Sequence, residues 1–167
     1  MNTTTGGVLW IHSAPSALCP HIEWAVGGVF RAPARLDWTH QLAERAAYRA
    51  EYEWSGPVGS AARLASQLQS WGRLRFEVTE HATAGSEGVR YCYTPTLGIF
   101  QSAIGATGDV LVHEERIKHA LGQAALGRLD IVEALHDLIG TSWDDELEVF
   151  RRASTPDAPV RWLHKVV

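Results

Sequence analysis

The sequence predicts an α+β fold, in which a βαββαβ half is extended by additional strands and helices on a mainly antiparallel sheet. Two segments that alternate apolar and polar residues are adjacent at residues 35–41 and 48–54. Stripes of apolar residues at helical spacing precede and follow this pair. The resulting order over residues 7–82 is typical of ferredoxin-like folds, which place both helices on one face of the sheet.

The first strand is predicted at residues 7–12, GVLWIH, where apolar side chains point to both faces. Such a strand lies inside a sheet and is covered on both sides. A helix follows, because Pro20 suits the first helical position, which needs no backbone N–H. Its apolar stripe is Ile22, Ala25, Val26 and Val29.

After the two alternating strands, a second helix begins at SGP and ends at Gly72, and residues 73–80 form the fourth strand. The outward sides of these strands carry charged residues, among them Arg49 and Glu51. The first strand, in contrast, is apolar on both sides. We therefore expect the second half to cover part of this face, leaving a charged margin and a groove between the halves.

The second half is predicted to be an extension of strands and helices over residues 88–167. It contains one or two strands broken near Pro95 and Gly98, and a short strand, VLV. Three helices follow. The first begins at about His113, the second after a capping box of Asp130 with Glu133, and the third after a capping box of Ser142 with Asp145. VRWLHKVV looks like a final strand. We expect a single domain of residues 1–167, since the turn at 83–88 is too short for a flexible linker.

Composition narrows the class of protein. The chain has 167 residues, 46% hydrophobic and 20% charged, with a net charge of −4, which is typical of a soluble globular protein. No cluster of Lys and Arg supports nucleic acid binding, and no apolar run is long enough for a membrane span. With no secretory signal and only two cysteines, we expect a cytoplasmic protein whose thiols are free.

The candidate site is HSAPSALCPHIEWAV, residues 12–26, where the first strand passes to the first helix. If Cys19 begins that helix, the helix dipole lowers its thiol pKa, and His12 or His21 could act as the base. This is the basis of an enzyme hypothesis, a hydrolase or transferase. The alternative, which we favour because no family-specific nucleophile motif is present, is structural: Ser13 and Ser16 bond turn amides, Cys19 packs as an apolar side chain and His21 faces solvent.

Metal binding is not predicted here. A zinc site here would use His12, Cys19 and His21, with Glu23 or Cys92 as the fourth ligand. Only one residue separates Cys19 from His21, and this spacing is shorter than the usual spacing of paired zinc ligands. No cofactor motif occurs in the chain, since the glycine-rich segments lack the endings of phosphate-binding and dinucleotide-binding loops.

A second acidic candidate is SWDDELE, in which Asp144 and Glu148 share one helix face. They could bind a divalent cation or act as acid and base. The helix dipole explains the same pattern, because acidic residues precede Arg151 and Arg152 along the helix. We favour the dipole explanation.

Several strings extend over nearly the whole chain: HSAPSALCPHIEWAV, AEYEWSG, RLRFEVTE, YTPTLGIF, GDVLV, WDDELE and VRWLHKV. In these strings the sequence resembles an uncharacterised protein family of actinobacteria, a domain of unknown function. The resemblance implies a small single-domain cytoplasmic protein. It implies no catalytic residues.

Together these observations favour a binding or regulatory module that recognises a small molecule or a protein in the groove, by analogy with other ferredoxin-like modules. The predicted ligand-binding residues are Ser13, Ser16, Cys19, His21, Glu23, Arg49 and Glu51. One alternative is the enzyme that uses Cys19. The other is a structural homodimer that pairs open sheet faces or edges.

Overall fold

The computed structural model describes residues 3–153, which form one seven-stranded sheet and five α-helices. The strands are β1 (Thr4–Pro15), β2 (Thr39–His40), β3 (Ala47–Pro57), β4 (Arg75–Glu80), β5 (Gly88–Thr94), β6 (Gly98–Ile104) and β7 (Val110–Leu111). The helices are α1 (Cys19–Phe30), α2 (Ser60–Gln69), α3 (Glu114–Ala125), α4 (Ile131–Ile139) and α5 (Thr141–Arg152). A 3₁₀ turn, Ser16–Leu18, joins β1 to α1.

The sheet order is β2-β3-β1-β4-β5-β6-β7, and each neighbouring pair is antiparallel. The α+β class and the antiparallel sheet are thus confirmed. The predicted strand over residues 35–41 is reduced to Thr39–His40. The Leu36 N–H donates to the Glu23 carboxylate at 2.9 Å, which ties this segment to α1. The ferredoxin-like assignment stays a prediction.

The main core lies between one face of the sheet and the helices α1 and α2. Leu9 and Ile11 of β1 are buried there with Phe76 and Val78 of β4. Burying such aliphatic and aromatic side chains is the main stabilising contribution to the fold. Gly7 lets β1 approach β4 closely, since a Cβ at this position would lie 1.9 Å from the Thr79 carbonyl oxygen.

The second face of the sheet is partly covered by α5, which contacts β5 and β1. Leu147 is fully buried there beside Cys92 and Phe100. The Trp143 ring packs on Phe100, and its Nε1–H donates to the Gly98 carbonyl at 3.0 Å. Part of the second half therefore covers this face, as the apolar first strand indicated.

Some boundaries differ from the sequence prediction. α5 begins at Thr141 after Gly140, whose φ of +79° suits glycine, so Ser142 is inside the helix and does not cap it. The Asp130 cap is confirmed, since its side chain accepts from the Glu133 N–H at 2.9 Å. The predicted last strand, residues 160–167, lies outside the described residues. Within residues 3–153, every helix is too short or too polar to cross a membrane.

Candidate functional site

The junction between β1 and α1 is shaped by an irregularity in β1. The pairing of β1 with β3 shifts register between Ile11 and Ala14, and its pairing with β4 shifts between Ile11 and Ser13. Such bulges commonly re-aim side chains beside functional sites. Here the buried Ser13 hydroxyl donates to the Glu44 carboxylate, which comes from the loop before β3.

The three candidate catalytic residues lie in different surroundings. His12 is 5% exposed and its Nε2 is 3.6 Å from Glu77 of β4. Cys19 belongs to the main core between the sheet and the helices. His21 is exposed on α1. The residues are close in sequence, but only His12 faces a charged group in a buried position.

Burial raises the pKa of the Cys19 thiol, and the nearby Glu23 carboxylate adds to this effect. The Sγ atom lies 3.7 Å from the Pro15 carbonyl oxygen. An activated cysteine requires the opposite shift, toward the thiolate. This geometry therefore favours a packing role for Cys19.

The remaining predicted ligand-binding residues have separate roles. Glu23 accepts hydrogen bonds from the Leu36 N–H and from Trp38 Nε1 at 3.2 Å, so it fixes the connection after α1. Glu51 is exposed on β3 opposite Trp10. Arg49 has a buried Nη1 atom without a hydrogen-bond partner, and burial lowers its pKa.

A cleft with a volume of about 590 Å³ lies beside this junction, and we call it the arginine cleft. The turn after β1, the loop before β3, the start of β4 and the turn after β5 all contribute to it. Its lining residues are Ser13, Pro15, Ser16, Ala17, Glu44, Arg45, Ala46, Ala47, Gly72, Arg73, Arg75 and Pro95. Ser13 and Ser16 are the predicted ligand-binding residues that line it.

The charge of the arginine cleft is predominantly positive, because its lining contains three arginines and one carboxylate. That carboxylate, Glu44, is engaged by the Ser13 hydroxyl and by Arg75, whose guanidinium is 3.0 Å away. Arg45 and Arg73 have no ion-pair or hydrogen-bond partner within the described part of the chain. The cleft can therefore take an anion.

Arg75 links the cleft to α5. Its Nε donates to Glu146 at 3.3 Å, and its guanidinium lies 4.4 Å above the centre of the Phe150 ring. Glu146 also accepts from the buried Thr94 hydroxyl at 2.9 Å. The orientation of Arg75 thus depends on two residues of α5.

A buried cluster of charged side chains lies between α5 and the face of the sheet that α5 covers. Glu77 accepts from Arg90 and Arg151, and both arginines also contact Asp144, at 2.6 and 3.0 Å. Burial, together with the positive charges of Arg151, Arg49 and Arg90, lowers the pKa of His12 to about 3. His12 is therefore neutral beside this cluster at physiological pH.

The acidic pair predicted from SWDDELE is engaged in ion pairs. Asp144 contacts Arg90 and Arg151, and Glu148 contacts Arg151 and, at 2.8 Å, Arg152. In residues 3–153, His, Cys, Asp and Glu side chains do not gather in groups of three or more that could hold a metal ion. The acidic run therefore stabilises the position of α5.

The sequence analysis placed Arg75 on the charged face of the sheet, but it selected none of Arg45, Arg73 and Arg75, the cations of the cleft, as ligand-binding residues. Arg73 and Arg75 flank Leu74 in the strand predicted over residues 73–80, so alternation alone predicts that they share a face, although β4 begins only at Arg75. Arg45 comes from a loop almost thirty residues earlier, before Ala46, whose φ of +58° is unfavourable for alanine. No local pattern connects these positions.

The model of a family described as "Protein of unknown function (DUF3145)" matches residues 8–165. No curated protein matches the chain, and no solved structure matches it.

Proposed function

The chain belongs to the DUF3145 family, whose description states no activity, and from its geometry we propose that it binds a small organic anion in the arginine cleft. The observation that carries this proposal is the pair Arg45 and Arg73, which line the cleft without a carboxylate partner in residues 3–153. Guanidinium groups bind phosphate and carboxylate oxygens through paired hydrogen bonds. Such a ligand would take the place of the dissolved anions and water molecules that otherwise surround the two guanidinium groups.

The shape and lining of the cleft indicate the class of ligand. Its volume of about 590 Å³ is within the range of roughly 300–1,000 Å³ that is typical of small-molecule sites. Pro15, Ala17 and Pro95 add apolar surface to the lining of the cleft. A phosphate or carboxylate attached to an apolar group uses both surfaces, whereas an inorganic ion uses the arginines alone.

A regulatory consequence follows from Arg75. Because this residue contacts Glu44 in the cleft and Glu146 on α5, an anion that draws its guanidinium toward the cleft weakens its contact with α5. The ligand would then change how tightly α5 packs on the sheet. A cytoplasmic setting agrees with the free, buried thiols of Cys19 and Cys92.

The test is calorimetric titration with phenyl phosphate, benzoate and inorganic phosphate, each at low and high ionic strength. We expect phenyl phosphate to bind more tightly than inorganic phosphate, and binding to weaken with salt. At 100 times its dissociation constant, a ligand should add about 2.7 kcal/mol to the free energy of unfolding.

Arg45→Gln and Arg73→Gln are expected to weaken binding at least tenfold each. Arg63→Gln is the matched control, since Arg63 is exposed on α2 and does not line the cleft. No binding of any of the three probes by the wild-type chain would refute the proposal. Equal affinities of the wild type and the two cleft variants would show that the anion binds outside the arginine cleft.

A further inference from the structure

Helices α3 and α4 form an antiparallel hairpin with an unusual amount of exposed apolar surface. A five-residue connection joins them, and they pack on each other, with α4 also against α5. Ala120 is the one buried residue in α3, and α4 has none in this part of the described structure. Most helices of globular proteins bury one apolar stripe, whereas the apolar side chains of this hairpin are largely exposed within residues 3–153.

The exposed side chains cover a large patch. Six large apolar residues between 114 and 139 are 37–64% exposed: Leu121, Leu126, Leu129, Val132, Leu135 and Ile139. Their exposed fractions add up to about three whole aliphatic side chains per copy. At roughly 150 Å² for each, the apolar patch covers about 450 Å², the size of the largest apolar patch on a typical monomer, which is often functional.

We propose that this hairpin is a self-association surface, through which two copies of the chain form a four-helix bundle. An αα-hairpin supplies half of such a bundle, and a second copy supplies the other half. A standard interface buries about 800 Å² per partner, of which somewhat over half is apolar. The patch on one copy therefore matches the apolar area that one such interface requires.

The exposed apolar face of α4 is distinct from the groove between the two helices. Val132, Leu135 and Ile139 follow each other at helical spacing and share one exposed face. Ala134 and Asp137 point to another side of α4, where they line a groove of about 440 Å³ with residues of α3. Around a twofold axis, the exposed face of each copy meets the same face of the other.

A sheet edge is the alternative surface for a second copy. The two edge strands, β2 and β7, are two residues long and cover only a small part of β3 and β6, which leaves backbone groups of these longer strands open to pairing. A dimer paired at such an edge would not depend on the side chains of the hairpin.

Sedimentation velocity of the full chain from 1 to 100 µM tests the proposal. We expect the wild type to sediment with twice the mass of the chain at the upper concentrations. Val132→Glu combined with Leu135→Glu should raise the dimer dissociation constant at least a hundredfold. Leu42→Glu is the matched control, because Leu42 is 72% exposed in the loop before β3 and should leave the dimer intact.

Circular dichroism of the double variant verifies that loss of the dimer is not loss of the fold. The single variant Leu121→Glu, on α3, provides a second substitution of an exposed residue should the double variant unfold. A wild type that stays monomeric at 100 µM would overturn the proposal and leave the hairpin to a different protein. A dimer that survives these substitutions, or one that Leu42→Glu dissociates, would overturn the assigned surface.

Discussion

Replacing His12 by glutamine should change how stability depends on pH, because His12 stays neutral in the folded protein. Its pKa is lowered from 6.5 to about 3, by burial first and then by the guanidinium groups of Arg151, Arg49 and Arg90. In the unfolded chain, the imidazole takes up a proton below about pH 6.5. Between these two pKa values the unfolded state binds more protons, so folding stability falls as the pH drops.

The magnitude follows from the distance between the two pKa values. A pH of 5 is about 1.5 units below the pKa of this histidine in the unfolded chain. Each unit corresponds to about 1.4 kcal/mol in the free energy of unfolding. His12 should therefore cost the wild type about 2 kcal/mol of stability between pH 7 and pH 5. His12→Gln lacks this contribution.

Urea unfolding at pH 7 and at pH 5 measures the difference. We expect the loss of stability on acidification to be about 2 kcal/mol smaller in His12→Gln than in the wild type. His21→Gln is the control, since His21 is exposed, and it should behave like the wild type. An identical pH dependence in His12→Gln and the wild type would show that His12 is not held neutral by its surroundings.

Two further predictions concern the thiols and the packing of β1. Burial raises the pKa of Cys19, and it raises that of Cys92 to about 12, so Ellman's reagent should label neither thiol at pH 7 unless urea is added. A Cys92→Ser protein whose Cys19 reacts faster than free glutathione at this pH would instead support the enzyme hypothesis. Gly7→Ala should destabilise the protein by about 1–3 kcal/mol in urea unfolding, because its Cβ would lie 1.9 Å from the Thr79 carbonyl oxygen. Gly28→Ala, with no atom within 4 Å of the added Cβ, should be neutral or stabilising, and equal stabilities of the two variants would contradict the close approach of β1 and β4.

Much of the architecture could be read from periodicity. The alternation in YCYT predicts that Tyr91 and Tyr93 share one face of β5, and Tyr93 does stack on Phe76 in the main core. The helical stripe of Ile22, Val26 and Val29 is buried as predicted. These features are local, because a side chain's direction follows from its position along one helix or strand.

The three candidate catalytic residues illustrate the limit of the same reasoning. His12, Cys19 and His21 are close in sequence, but β1 and α1 direct them into a buried charged region, the core and solvent. The sequence of this segment shows which chemical groups it contains. It does not show the surroundings of each group, which raise the pKa of Cys19 and lower that of His12.

The residue pattern was enough to establish the α+β class, the alternating strands over residues 48–54 and 73–80 and the apolar stripes of the first two helices, since these depend on neighbours a few residues apart. The tertiary structure alone decided that Arg45, Arg73 and Arg75 line one cleft, and that Glu77 is buried with Arg90 and Arg151 under α5. The physical reason is that burial and charge pairing depend on distances in space. Those distances are set by how the sheet and helices pack, through contacts between residues tens of positions apart.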